Sequence, residues 1–486
     1  MTVHLVGAGC GGPLWLVQRG RELIESAAHI VYDSLIHPDL LQLAPEGCAF
    51  HPVGKRKGRP SHNQGDVNRL LVELGATGAS VVRLKGGDPF IFGRGGEEAQ
   101  ALNDAGVPWT YTPGITAAIG GLGAAGIPPT HRGVADSLTL VTGHSAGGAS
   151  PDEDLWRTLG SLGGTKAIYM GASSWRVLLP LLLQGGMSPD EPCSAVIWGG
   201  WGRSRLVSFP SLDSMKAPSP CVLALGEAAR LNLAPERGVL NGLQVAVVRP
   251  FPESWETARI LESLGADAYS IPLLRPQEIF SPGDAEMLAS ADWVVLTSPR
   301  GAALLPARID PRRIRGRIAA IGEGTSAALS SFGILADSVP EEATSEALAA
   351  LLSQSVKPSE RVAFFRNEAG SPLPQEAVAS AGAIPVDIAA YRMRPCLPPA
   401  FDSYVAMWEE CGLDAVVFGS AALADAWSEL APPPPPDAYL IAWGRTCAEA
   451  VKRRFGREPI VMKSADVEGL TEALKTVQNR RYHDED

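Results

Sequence analysis

Six apolar runs in this chain share one form, in which a strand-like stretch passes through a turn rich in glycine, serine or threonine into a helix-like one. They are VHLVGAGCGGP, VVRLKGGDPFIFGRGGEE, WVVLTSPRGAAL, IAAIGEGTSAAL, AVVFGSAAL and YLIAWGRTCAEAV. Strand followed by helix, repeated, implies an α/β fold with mostly parallel sheets, because successive parallel strands need a crossover that a helix supplies. Open α/β sheets bind small molecules at the carboxyl ends of their strands. The turns are therefore the places to look for function. In VVRLKGGDPFIFGRGGEE (Val81 to Glu98), glycines flank one acid and one cation. Glycine there permits positive φ or close approach of backbone to a ligand.

A chain of 486 residues should form two or more domains. The pattern in the first half is a strand at Val3 to Val6, a helix from Pro13 to about Ala28, a strand at Ile30 to Tyr32, and then VVRL. A second α/β unit starts near Ser137 (SLTLVTGH) and runs through KAIYMG, SAVIW and CVLALG to about Arg230. This gives an amino-terminal domain over 1–236 with lobes at about 1–115 and 137–236. The turn-rich LAPERGVLNG (Leu233 to Gly242) marks the main boundary. In the second domain, 243–480, two proline-rich crossings, LLRPQEIFSPGD and YRMRPCLPPA, suggest that the chain passes out to one lobe and back. Lobe A then covers about 243–275 plus 395–480, and lobe B about 278–390. Pro432 to Pro436 reads as a stiff surface connector.

A formal charge of −11 argues against nonspecific nucleic-acid binding. The basic residues nevertheless cluster: His51, Lys55, Arg56, Lys57 and Arg59, then Arg83, Lys85, Arg94, His131 and Arg132. They read either as a solvated face or as a cleft for a polyanionic small molecule. Seven cysteines without a CxxC pair or a His pair at ligand spacing suggest neither metal nor disulfides. No apolar run approaches the ~20 residues of a membrane span, and no basic leader precedes the first strand, so the expected location is the cytoplasm. Gly7 to Gly12 formally matches GxGxxG, with Asp33 after the next strand as a possible ribose ligand, which is the dehydrogenase reading.

VGAGCG, VYDSLI, VGKRKG, VVRLKGGDPFIFGRGGEE, TPGITAA, PPTHR, SLTLVTGH and YMG stand in an order that resembles the tetrapyrrole methylase family, in particular its uroporphyrinogen-III C-methyltransferases. The resemblance covers about residues 1 to 235. It implies two α/β lobes, S-adenosylmethionine in their cleft, a homodimer formed through this domain, and methylation of uroporphyrinogen III at C2 and C7 to precorrin-2. The sulfonium cofactor calls for carbonyl dipoles and a carboxylate. Gly86, Gly87 and Asp88 can offer these, with Ile91, Thr116 and Ala117 closing on the adenosine. By the family pattern Cys10, Met170 and Gly199 complete the pocket, although Met170 alone would read as core. The resemblance implies Asp33 as general base and Lys55 as acid. Arg94, His131 and Arg132 are candidates for the substrate's carboxylates. The chain departs from the pattern at Cys10, usually proline, and at Gly12, usually an acid.

Residues 243 to 480 resemble uroporphyrinogen-III synthase through VAVVRP, VVLTSPRGAALL, IAAIGEGTSAAL and AAYRM. That resemblance implies two flavodoxin-like lobes that close hydroxymethylbilane into uroporphyrinogen III without a cofactor. Tyr391 is the implied proton donor. Thr297, Ser298, Thr325 and Ser420 fall in strand-to-helix turns, where they either bind substrate carboxylates or simply cap helices. Gly419 stands where a hydroxyl residue is common. A second reading makes this half an inert tetrapyrrole-binding module.

Overall fold

The computed structural model describes residues 2–54, 63–144, 151–234 and 238–484. The chain forms two compact units, Met1–Leu273 with Leu397–Asp486, and Leu274–Cys396. The turn-rich Leu233 to Gly242 lies inside the first unit.

The first sheet is wholly parallel, in the order Ala49–Pro52, His29–Tyr32, Val81–Lys85, Val3–Gly7, Trp109–Thr112. Alternate strand residues enter two cores. Val6, Ile30, Val82 and Leu84 pack with Ile24 and Leu41 on one face. Val3, Leu5, Val31 and Val81 pack with Leu71 and Leu102 on the other. A parallel sheet covered on both faces is why these strands read as unbroken apolar runs. Each large aliphatic side chain buried there contributes roughly 1.5–3 kcal/mol.

The first strand does not lead straight into a helix. Pro13–Trp15 makes one 3₁₀ turn, Leu16 and Val17 are extended, and the α-helix is Gln18–Glu25. Packing explains the delay. A Cβ on Gly20 would lie 2.9 Å from Leu16 Cδ1, so Leu16 folds back onto the helix instead of continuing it.

The second sheet is mixed, with the order Leu138–Thr142, Thr165–Tyr169, Cys221–Leu225, Cys193–Ile197, Arg205–Phe209. Only its first pair is parallel, which corrects the expectation of mostly parallel pairing. Residues 198–204 are too short a link for a crossover, so the chain turns back as a hairpin. A third sheet, also in the first unit, is all parallel: Asp267–Ser270, Gln244–Val248, Ala415–Phe418, Tyr439–Ala442, Ile460–Val461.

The second unit holds one five-stranded sheet, ordered Leu274–Glu278, Ile384–Pro395, Arg361–Asn367, Trp293–Leu296, Arg317–Ala320. The proline-rich crossings pair here as antiparallel strands, Leu274 opposite Pro395 and Glu278 opposite Tyr391. The remaining pairs are parallel. No helix among the described residues is long and apolar enough to cross a membrane.

Candidate active site

A cavity of about 240 Å³ opens in the first unit at the carboxyl ends of the first sheet and against the second. Cys10, Gly86, Gly87, Asp88, Ile91, Thr116, Ala117, Met170 and Gly199 all line it. Five separate loops bring them together. Gly9 and Gly87 bridge the turns that follow Val3–Gly7 and Val81–Lys85, Gly9 N donating to Gly87 O at 3.2 Å and Gly87 N to Gly9 O at 2.8 Å. Gly87 takes φ +68°, a conformation a larger residue would resist. A Cβ on Gly199 would sit 2.8 Å from Gly121 Cα, so glycine is what lets the 198–203 loop close on the adjacent helix.

Asp88 is the single charged residue of the lining, and its carboxylate is already engaged. Oδ1 accepts from Phe90 N at 2.8 Å, while Oδ2 accepts from Tyr111 OH at 2.7 Å and Gly114 N at 3.0 Å. It ties neighbouring loops together, and burial followed by this carboxylate pushes the Tyr111 hydroxyl up to about 12. Tyr169 shapes the opposite side. Its hydroxyl lies 2.6 Å from Thr116 Oγ1 and accepts from Ala118 N at 2.8 Å. Burial pushes the Cys10 thiol up to about 11, which keeps that wall neutral near pH 7. Apart from Asp88 the walls are thus apolar or polar-neutral, with no lysine or arginine among the lining residues. This chemistry fits a sulfonium with an adenosine, and it fits a polyphosphate poorly.

The GxGxxG reading fails on geometry. A pyrophosphate site needs helix amides at the end of the glycine loop, and here the loop meets an isolated 3₁₀ turn. Asp33, the ribose candidate of that reading, is paired with two cations. Arg83 Nη2 donates to its Oδ1 at 2.7 Å, and Lys85 Nζ lies 3.8 Å from Oδ2. Both cations are buried, and both also contact Glu98 Oε1, Arg83 Nε at 3.0 Å and Lys85 Nζ at 2.8 Å. Burial, followed by the charge of Arg83, holds the Lys85 ammonium below its ordinary pKa. Glu98 is fully buried, whereas Asp33 keeps 30% of its side chain open. The arrangement presents one reachable carboxylate on a rigid, charge-balanced base.

The other candidates are placed differently. Lys55 and the rest of the Lys55 to Arg59 run lie outside the described residues. Arg94 is exposed at the start of the Gly95–Asp104 helix, with φ +60° and a two-pronged pair to Glu97 at 2.7 Å. His131 and Arg132 sit in an exposed turn closed by mutual bonds of His131 and Ala135. None of the three lines the cavity.

In the second unit Tyr391 is buried on its long strand, its hydroxyl 2.9 Å from Ser298 Oγ. Ser298 also caps the Pro299–Arg308 helix, accepting from Gly301 N at 3.0 Å. Thr297 adjoins it in the same turn, and Thr325 is buried in the first turn of Glu323–Ser330. Ser420 belongs to the first unit. It begins the helix Ala421–Leu430 with no capping bond from its side chain.

The family model of tetrapyrrole (corrin/porphyrin) methylases matches residues 2–212, and that of uroporphyrinogen-III synthase HemD matches residues 256–472. A uroporphyrinogen-III C-methyltransferase of Sinorhizobium is 39% identical over 252 residues, half of this chain and 90% of that protein. A porphyrin biosynthesis protein HemD of Ruminiclostridium josui is 31% identical over 379 residues, 74% of this chain and 75% of that protein. The chain is a tetrapyrrole methylase fused to a uroporphyrinogen-III synthase domain. Among solved structures, a Thermus thermophilus uroporphyrin-III C-methyltransferase with S-adenosyl homocysteine is similar. It is 34% identical, with a TM-score of 0.42, covering 47% of this chain and 99% of that one.

The methylase motifs pointed to the cavity's loops but missed several of its walls. Leu35, Phe92, Tyr169, Trp198 and Trp201 also line it. Trp198 and Met170 both carry φ +52°, and neither strained position has a glycine to announce it in the sequence. Glu98 was legible only as the second acid of GGEE, because its role depends on two cations one strand away.

Proposed function

We propose that the methylase domain transfers methyl groups from S-adenosylmethionine to uroporphyrinogen III at C2 and C7, giving precorrin-2. The synthase domain supplies that substrate by closing hydroxymethylbilane. The observation that carries the reading is the gathering of nine residues expected from the family pattern around one cavity whose lining includes a single charge, Asp88, which already accepts three hydrogen bonds. Such walls suit a cation that must stay reactive, since a strong counter-charge would stabilise it before transfer. Bound S-adenosylmethionine would supply an electrophilic methyl group.

Residues of this chain would do the rest. Gly86, Gly87 and Gly199 would let backbone approach the cofactor, and holding it in line with an electron-rich pyrrole carbon supplies much of the acceleration. Asp33, open on one side and fixed by Arg83 and Lys85 on the other, would take the proton that leaves the methylated ring. Lys55 would act as the acid. Arg94, His131 and Arg132 would meet substrate carboxylates. In the synthase domain Tyr391, positioned by Ser298, would donate a proton to the departing hydroxide, with Thr297, Thr325 and Ser420 meeting acetate or propionate groups. The protein would act in the cytoplasm as a homodimer joined through the methylase domain, without nucleic acid or membrane as partners.

The deciding experiment is a one-pot assay from hydroxymethylbilane with labelled S-adenosylmethionine. Label in a dimethylated type III macrocycle is expected, and isomer I alone would mean an inert synthase domain. Tyr391→Phe should slow cyclisation by roughly tenfold, the scale of one lost hydrogen bond, and leave methylation of added uroporphyrinogen III unchanged.

A further inference from the structure

The loop Trp198 to Arg203 has two faces. Trp198, Gly199 and Trp201 line the cavity. The other end of the loop is bound by the carboxyl-terminal half, through the strand Asp267–Ser270. Asp267 accepts from Gly202 N at 2.6 Å, from Arg203 N at 3.2 Å and from Arg203 Nε at 2.6 Å. A fourth bond from Gln244 Nε2 at 2.8 Å holds the carboxylate in place. Arg203 Nη2 donates to Tyr269 OH.

The same guanidinium lies 4.7 Å from the ring centre of Trp198 and 4.8 Å from that of Trp201. His37 stacks on Trp201 at 5.1 Å and on Tyr269 at 5.2 Å. Two backbone amides and one guanidinium therefore converge on one buried carboxylate, and that guanidinium sets both cavity tryptophans. Trp198 holds φ +52°, a conformation that persists only where its surroundings impose it. The fit leaves no slack, because a Cβ on Gly202 would meet Gly265 O at 2.5 Å. The amino-terminal glycine loop shows the same closeness, with a Cβ on Gly12 falling 2.5 Å from Glu262 Oε1.

We propose that Asp267 of the synthase domain is a positioning residue for the methylase domain, clamping the 198–203 loop through Arg203 so that its tryptophans form a wall of the methyl-donor pocket. The inference rests on reading that cavity as the cofactor site. Its consequence is that the fused synthase domain is part of the framework of methyl transfer, in addition to whatever it catalyses.

The test is titration of the full-length protein with S-adenosylhomocysteine, with methylation kinetics alongside. Asp267→Asn should raise the dissociation constant and the KM for S-adenosylmethionine by about tenfold, as expected for a lost charge-assisted contact, and change kcat far less. Gly202→Ala, which forces the loop off Gly265, should act in the same direction, and it decides the matter if Asp267→Asn does not fold. Leu474→Ala, in the core of the third sheet and away from the loop, supplies a destabilised control that should bind normally. Unchanged affinity in both loop variants, or equal weakening in the Leu474 control, would overturn the clamp. Ala117→Leu, which fills the cavity, separates the two readings. If it too binds normally, the cavity is not the cofactor site. If it alone loses binding, the site stands and the clamp falls.

Discussion

The first unit contains two clusters of buried charge built from similar parts. Around Asp33, two cations and two acids form a group with one carboxylate open to solvent. Around Asp39 the group is sealed. Asp39 is fully buried and accepts from Arg259 Nη2 at 2.7 Å, Tyr404 OH at 3.0 Å and Ser270 N at 3.0 Å. Glu262 pairs with Arg259 at 3.1 Å, and His37 lies 3.8 Å from it. Both clusters satisfy the demand that buried charge be paired. Exposure decides their use. The open group can exchange a proton with a substrate, while the sealed one joins the amino-terminal half of the chain to the third sheet.

The largest separation of the two should come from Asp33→Asn. Methylation should fall by about 10² to 10⁴, the usual worth of a general base, while denaturation moves by only about 1 kcal/mol because Arg83 keeps Glu98. A drop in stability matching the drop in rate would erase the distinction. Arg259→Met should do the reverse. It leaves Asp39 and Glu262 buried without their cation, at a cost of about 3–5 kcal/mol, yet the kcat of folded enzyme should hold. Chemical denaturation with activity measured on the folded fraction checks this.

The smallest effect concerns pH. Burial pushes the Glu262 carboxyl up to about 8 from an ordinary 4.5, against the pull of Arg259. Between those values the folded protein holds a proton that the unfolded chain has released, so this group's contribution to stability is lost as pH rises. Glu262→Gln should flatten the decline of the melting temperature from about pH 5 to 8. An unchanged slope would mean that Glu262 is ionised in the fold.

The clusters also show what can be read in a sequence. Asp33 and the GGD loop stand in motifs, and local glycines announce their turns. Asp39, Arg259 and Asp267 stand in none, and each gains meaning only from a partner some 60 to 230 residues away. The helix expected from Pro13 shows the same limit on a smaller scale. Its apolar spacing was real, but Leu16 was taken by packing against Gly20. The hairpin in the second sheet follows from the length of one link, which periodicity does not weigh.

The sequence by itself determined the α/β class, the two families and the loops that surround the cavity. These are written in local signals: apolar runs that set strands, glycines that permit turns, and motifs whose residues act near their neighbours in the chain. Tertiary structure alone decided that the Asp88 carboxylate would tie neighbouring loops together. It also decided that Asp33 would be held by buried cations, and that a strand of the synthase domain would clamp a cavity loop of the methylase domain. Electrostatics and packing act through space, so a side chain's partners are fixed only once the distant strands that carry them have been brought together.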